Sequence, residues 1–437
     1  MEPCCLTAAD ASRAIEAGTL TSETLVRSCL DRIAIRDADV KAWAHLDPAK
    51  AIAAAREIDK QPRRSRLHGL PFGVKDMIDT ADMPTTYNSA NWQGHRPAKD
   101  AACVGVVRAS GAVILGKTDT VEFAAAGRKA ATRHPLNPAH TPGGSSSGSG
   151  AAVADAQVQL AFGTQTGGSH IRPASFNGIY GLKPTWGSVS REGAKIYSNS
   201  LDTIGWYGRS VEDLEIVAEA FRLYGMGAVR PTEPGALRIA LCRTPSWPKI
   251  EPGGEKAFAA AADRLAQAGA TVFDFDLPDS FDELYETQTT IMFGEGRAAF
   301  LDEYLIQGAR LGPDFVERAE NSRGITPEAM LAAYDQAALC RIAFDALFAD
   351  FDAILAPAAP GEAPEGLHTT GDHVFNAMST LLHVPCLAIP CTTGDKGLPV
   401  GVQIMGPRFG DARLMKVGAA IAPVIDIEEK PPLAGRA

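Results

Sequence analysis

Short apolar runs bounded by glycine or proline alternate along this chain with longer segments in which apolar residues recur every three or four positions. The short runs read as buried strands and the periodic segments as helices. Residues 7–17 and 22–35 are expected helices. Thr7 and Asp10 make a capping-box-like start, Gly18 a stop, and Thr21 or Ser22 restarts the pattern. A third helix is expected from Ala49 to Lys60, followed by strands at "LPFGVKDMI" (70–78) and "GAVILGKT" (111–118). Then come a helix at "GAAVADAQ", strands at "LAFGT" and "LRIALC" (237–242), a helix over 254–268, and the strand "ATVFDF". A largely helical stretch runs from about 281 to 350, after which strands return at "DAILAP", "CLAIP" and "PVGVQIMG". Apolar runs separated by helices imply a mostly parallel or mixed sheet buried on both faces, so the expected class is α/β.

Length adds that 437 residues suffice for a large core or two domains. No repeat or clear linker divides the chain, so one α/β unit over 1–437 is expected. Its parts are N-terminal helices to about 65, a core over about 66–215, and the helical region 281–350. The net charge of −10 and the lack of any basic run longer than "RRSR" argue against a nucleic-acid partner. The start "MEPCCLTAADAS" lacks the basic and apolar regions of a secretion signal, and no stretch is long and apolar enough to span a membrane. A cytoplasmic location is the expectation, with the eight scattered cysteines as reduced thiols. The nine histidines form no HExxH or HxH pair, so no metal site is expected.

Chemistry concentrates in two serine-glycine loops. "PGGSSSGSG" (142–150) fits the nucleophile-elbow pattern GxSxG formally at Ser146, but the preceding "RHPLNPAHTP" is proline-rich and not a strand, so the elbow context fails. The same missing strand removes a dinucleotide fingerprint, and no Gly-Lys-Ser/Thr follows to make a phosphate loop. The second loop, "GTQTGGSHIRP", is better placed. "LAFGT" precedes it as a strand, and "SHIRPASF" opens a helix with Pro173 in its first turn. Backbone N–H groups of Thr166, Gly167, Gly168 and Ser169 would converge as an oxyanion hole, with Ser169 as candidate nucleophile. His170 adjoins it, but sequence neighbours point apart, and it reads as a bystander. Lys75, set in an apolar strand, is a base if burial lowers its pKa, or the partner of Asp76 or Asp79 in an ion pair.

Taken together, "GVKD" (73–76), "PGGSSSGSGAAVA" (142–154), "FGTQTGGSHIRPASFNGIYGLKPTWGSVS" (162–190) and "GLPVGVQIMGPRFGD" (397–411) resemble the amidase signature family over essentially the whole chain. Ser145 and Ser169 stand 24 residues apart, as that family's bridging and nucleophilic serines do. The resemblance implies a single amidase-type domain with a central mixed sheet covered by helices on both faces. It implies Ser169 as nucleophile, Ser145 as bridging serine on a cis peptide, Lys75 as base, and 166–169 as the oxyanion loop. Ser146 and Ser147 are then expected to bond the loop's own backbone.

The implied reaction is hydrolysis of a carboxamide to a carboxylate plus ammonia or an amine through a seryl acyl-enzyme, without cofactor. Two departures from the common signature stand out: Gln165 replaces an aspartate, and Ser147 a frequent glycine. The arginine also falls one place later, at Arg172, which turns a helical side chain by about 100°. This variant resembles malonamidase-type members, in which the arginine holds a substrate carboxylate, and an internal ion pair is the other reading of Arg172. A small-molecule amide is the expected partner, with neither nucleic acid nor membrane, and a homodimer is left open. The alternatives are a non-catalytic binding member of the family and the A-type subunit of a glutamine-dependent amidotransferase.

Overall fold

The apolar runs pair edge to edge into one eleven-stranded sheet in this computed structural model, which describes residues 2–226 and 232–427. The strands are β1 Trp43–Leu46, β2 Pro71–Lys75, β3 Val113–Thr118, β4 Leu160–Gln165, β5 Tyr180–Lys183 and β6 Thr203–Gly208. They continue as β7 Arg238–Leu241, β8 Thr271–Asp274, β9 Ala353–Pro357, β10 Cys386–Thr393 and β11 Pro399–Met405. Their order across the sheet is β1-β3-β2-β4-β6-β5-β10-β11-β9-β7-β8. Pairs β2–β3, β2–β4, β7–β8 and β7–β9 are parallel and the others antiparallel, so the sheet is mixed. Every residue of β2, β3, β4, β5, β6, β9 and β11 is buried, whereas no residue of the edge strands β1 and β8 is. That contrast explains the unbroken apolar character of the central runs, which face helices on both sides.

Most expected elements form, with shifted ends. The second helix runs Ser22–Val40, beyond the expected 35, and stops at Lys41 in a left-handed conformation. Thr7 and Thr21 cap their helices by accepting from Asp10 N and Thr24 N. The 281–350 region holds helices Leu284–Ala299, Leu301–Gln307, Pro313–Ala319 and Pro327–Leu347. The helix expected from 150 begins earlier, as Ser147–Ala154, inside the serine-glycine run. Gly148 explains the early start: a Cβ there would lie 2.2 Å from Ala42 O and 2.4 Å from Asp119 N, so only glycine lets the first turn press against that backbone. Among the described residues no helix is long and apolar enough to cross a membrane.

Two buried ties hold the N-terminal helices to this core. Asp155, at the C-terminus of Ser147–Ala154, accepts from Arg32 (2.7 Å) and Arg36 (3.2 Å) of helix Ser22–Val40. Asp213 accepts from Ala9 N (2.9 Å) while also bonding Arg209 N (2.8 Å).

Candidate active site

Lys75 ends β2, an interior strand third from one edge of the sheet, and is fully buried. Its Nζ lies 2.7 Å from Ser145 Oγ, 3.0 Å from Ser146 Oγ and 2.7 Å from Thr164 Oγ1. Neither expected ion-pair partner reaches it: Asp76 faces Lys117 at 3.3 Å, and Asp79 accepts from the Tyr87 hydroxyl at 3.1 Å. Burial holds the Lys75 pKa well below the usual amine range, opposed by the charge of Asp202.

The three hydroxyls divide between the two roles a neutral amine offers, two N–H donors and one lone pair. Thr164 Oγ1 donates to Met77 Sδ (3.1 Å), and Ser146 Oγ donates to Ser169 O (2.5 Å). Both have spent their only proton, so both accept from Lys75. The lone pair is left for Ser145 O–H.

Ser145 follows a cis Gly144–Ser145 peptide bond. Its carbonyl is held by Thr120 Oγ1 (3.0 Å) and Val121 N (3.3 Å). Ser147 Oγ donates to Gly143 O at 2.7 Å, within its own loop as expected. Ser146 departs from that expectation. Its hydroxyl leaves the loop to bond Ser169 O and Thr164 O and to accept from Thr164 N and Lys75, because the helix starting at Ser147 turns this side chain toward β4.

The 166–169 loop and Ser145 line one cavity of about 290 Å³. Each loop carbonyl is engaged: Thr166 O by Gln288 Nε2 (2.9 Å), Gly167 O by Thr380 Oγ1 (2.8 Å), Gly168 O by Arg172 N (3.1 Å), and Ser169 O by Ser146. The amides of Gly167, Gly168 and Ser169 donate to no group among the described residues. Peptides whose oxygens are tied back in this way leave their N–H groups for a bound anion. Gly168 is required by closeness, since a Cβ would meet Asn376 Oδ1 at 2.4 Å. Asp202, buried and with its pKa pushed up to about 6 by that burial, accepts from Thr166 Oγ1 (2.6 Å), Tyr197 N (2.8 Å) and Ser198 N (3.1 Å).

The Gln165 departure has a structural reason. Its Oε1 accepts from His170 N (3.1 Å) and Ile171 N (2.9 Å) at the start of helix Ile171–Asn177, and its Nε2 donates to Thr380 Oγ1 (2.9 Å). His170 itself faces away: its Nε2 meets Trp206 O at 3.1 Å, its ring stacks on Tyr207, and burial pushes its pKa down to about 3. Arg172 lines the cavity, and among the described residues no carboxylate lies within ion-pair distance of it, although the charge of Asp372 acts on it. Nε donates to Thr370 O (2.7 Å) and one terminal nitrogen to Gly144 O (2.6 Å), while the other, Nη1, is buried and has no partner among the described residues. Burial pushes its pKa down to about 10, so it stays charged at neutral pH.

Sequence reasoning missed Thr164, Asp202, Gln288 and Thr380. Their contacts with Lys75, Thr166 and Gly167 span 36 to 213 residues, and no local pattern marks them.

One large mixed sheet with a buried lysine and two serine-bearing loops at one cavity is an architecture shared with known enzymes. Residues 24–415 match the model of the Amidase family. The A-type subunit of glutamyl-tRNA(Gln) amidotransferase from Chloroflexus aggregans is 34% identical over 99% of both chains. Among solved structures, native peptide amidase from Stenotrophomonas maltophilia superposes with a TM-score of 0.82 at 29% identity, covering 98% of this chain and 99% of that one. The A-type subunit of glutamyl-tRNA(Gln) amidotransferase from Thermotoga maritima does so with a TM-score of 0.80 at 26% identity, covering 96% and 95%. The chain belongs to the amidase signature family, and its chemistry is cleavage of an amide C–N bond.

Proposed function

We propose that Ser169 attacks a carboxamide carbonyl, with Ser145 as proton bridge and neutral Lys75 as base. Lys75 takes the Ser145 proton while Ser145 takes that of Ser169, and the negative charge on the former carbonyl oxygen falls to the free amides of Gly167, Gly168 and Ser169. The proton then returns through Ser145 to the nitrogen, the C–N bond breaks, and ammonia or an amine leaves an ester on Ser169. Water, deprotonated along the same route, releases the carboxylate and restores Ser169. The observation that carries this reading is Lys75 Nζ, buried, bonded only to hydroxyls, and 2.7 Å from Ser145 Oγ.

Of the settings in which such a site works, the relatives' names support the A-type subunit of an amidotransferase, where released ammonia is passed on, better than a free-standing carboxamide amidase. The free-standing enzyme is the second reading, supported by the similarity to peptide amidase over nearly the full length of both chains. In either setting Arg172, three residues past Ser169, is a cation lining the cavity that would take the substrate. Labelling with phenylmethanesulfonyl fluoride followed by peptide mass spectrometry tests the nucleophile. An adduct on Ser169 is expected, and one on Ser145 or Ser146 would overturn the assignment. Ammonia release by the purified chain alone, from glutamine and from simple amides, separates the settings.

A further inference from the structure

Two adjacent cysteines and a glutamate meet in the first turn of the chain, and none of them lines the cavity over Ser169. Cys4 Sγ lies 3.9 Å from Cys5 Sγ and 3.8 Å from Glu2 Oε2, and the three ligand atoms all fall within 4.8 Å of one another. Among the described residues no other three such side chains converge in this way. We propose that Glu2, Cys4 and Cys5 form a binding site for a zinc-class divalent cation, with two thiolates and a carboxylate on three corners of a tetrahedron and water on the fourth.

Neither spacing is that of an ordinary contact between these groups. Thiols elsewhere in the chain donate to oxygen at closer range: Cys29 to Gln159 Oε1 at 3.3 Å, Cys386 to Gln403 Oε1 at 3.0 Å and Cys391 to Ala257 O at 3.3 Å. A disulfide would bring the two sulfurs to about 2.05 Å. Both separations are instead close to the edges of a zinc tetrahedron. Bonds of about 2.3 Å to sulfur and about 2.1 Å to oxygen put two sulfurs about 3.8 Å apart, and a sulfur and an oxygen about 3.6 Å apart. Such convergence is not the default, since neighbours in a 3₁₀ turn are rotated by about 120°. Here the turn Pro3–Cys5 is fixed through its backbone. Cys5 N donates to Glu2 O (2.9 Å) and Leu6 N to Pro3 O (3.1 Å). Cys4 N donates to Ser28 Oγ (3.0 Å), and Cys4 O accepts from Gln159 Nε2 (3.2 Å) and Arg209 Nη2 (3.0 Å). Cys4 is buried, Cys5 half-buried and Glu2 exposed, so the ion has Cys4 as its inner wall and solvent on its outer side. Two sulfurs favour zinc or cadmium over magnesium or calcium, which prefer oxygen ligands throughout. On binding, both thiol protons pass to solvent. The histidine spacings from which no metal site was expected do not bear on adjacent cysteines.

Cadmium is the probe, because its bonds to thiolate absorb in the ultraviolet. Titrated into the metal-free, reduced full chain, with any purification tag kept at the C-terminal end, it should give a thiolate-to-cadmium band that saturates at about one ion per chain. Zinc should compete the band away. Cys5→Ser alters a half-buried position and should remove at least half of the band. Glu2→Gln alters an exposed one and keeps both sulfurs, so the band should remain while affinity falls by at least about tenfold, the loss typical of removing even an outer partner of a metal. Zinc should also raise the Tm of the native chain and of Ser169→Ala alike, and leave that of Cys5→Ser unmoved. These readouts are binding and stability, so they are independent of whether Ser169 is the nucleophile. The absence of a band, a band untouched in Cys5→Ser, or an affinity unchanged in Glu2→Gln would each overturn the proposal.

Discussion

Because Thr164 and Ser146 give their hydroxyl protons to Met77 Sδ and Ser169 O, the lone pair of Lys75 has Ser145 as its one remaining partner. A base so defined must be neutral to act. Arginine at 75 keeps a cation but cannot lose its proton at working pH, so Lys75→Arg is expected to lower kcat/KM by about three orders of magnitude. The pH dependence has a fixed sign. Burial lowers the Lys75 pKa, so kcat/KM should climb as Lys75 deprotonates and reach its plateau well below the usual lysine value of about 10.4. A profile still rising at pH 10 would show that the amine is not the group titrating. Ser146 was expected to serve only its own loop. Its bonds to Lys75 and Ser169 O make Ser146→Ala cost about tenfold in kcat, read by steady-state kinetics on a folded variant. The sequence marked Lys75, since a lysine in an apolar strand is conspicuous, and Ser169 by its loop between strand and helix, whereas Ser145 came only from the resemblance to the amidase signature and its 24-residue spacing. Nothing in "SSS" tells Ser146 from Ser147, because what separates them is a partner 18 to 23 residues away.

At the scale of elements, the loop between β4 and helix Ile171–Asn177 is shaped by groups that grip its oxygens from outside: Gln288 from helix Leu284–Ala299, Thr380 from helix Ala377–Leu381, and Asp202 just before β6. A loop rich in glycine does not hold one conformation by itself. Asp202 also acts on Lys75, since its negative charge favours the lysinium that each proton transfer creates. Asparagine at 202 keeps an acceptor for Tyr197 N and Ser198 N but removes that charge. Lys75 then becomes easier to deprotonate and a weaker base, so Asp202→Asn should shift the acid limb of kcat/KM to lower pH and reduce the plateau severalfold. The folded pKa of Asp202 is raised to about 6, so the fold favours its protonated form, and that contribution is present in acid and lost as pH rises through 6. Asp202→Asn should accordingly be at least as stable as the native chain at pH 8, by thermal denaturation. A lower melting temperature there with an unshifted pH profile would reduce Asp202 to a structural bond.

Over the whole molecule, the sequence made legible the strands with short apolar runs: β2, β3, β4, β9, β10 and β11, almost wholly buried, together with β7 and the partly exposed edge β8, whose "LRIALC" and "ATVFDF" stand between helices. The strands it did not reveal are those whose pattern the environment breaks. β1 "WAHL" is a partly exposed edge, while β5 "YGLK" and β6 "TIGWYG" carry glycines and polar residues where Ala174, His170 and Tyr207 crowd the sheet. Helix Asp411–Ile425 was hidden by an internal proline, and Ala102–Ala109 by its β-branched "CVGVV". The contact between the N-terminal helices and the serine loop was equally invisible, since Asp155 lies 123 residues from Arg32 and 119 from Arg36. Those three buried groups tie helix Ser22–Val40 to the end of the helix that begins in the serine-glycine loop, so the fold and the candidate site share one anchor. Removing the carboxylate takes a charge partner 2.7 Å from Arg32 and 3.2 Å from Arg36, both buried, and the remaining Arg36 contact with Asp39 is long and its partner exposed. Asp155→Ala is therefore expected to destabilise the chain by about 3–5 kcal/mol. Asp155→Asn, which keeps an acceptor at the site, should cost less. Because the tie acts on folding and not on any proton transfer, kcat of the folded Asp155→Asn enzyme at 25 °C should stay near the native value while its denaturation midpoint falls. An equal fall in kcat at unchanged stability would show instead that the N-terminal helices set the geometry of Ser145.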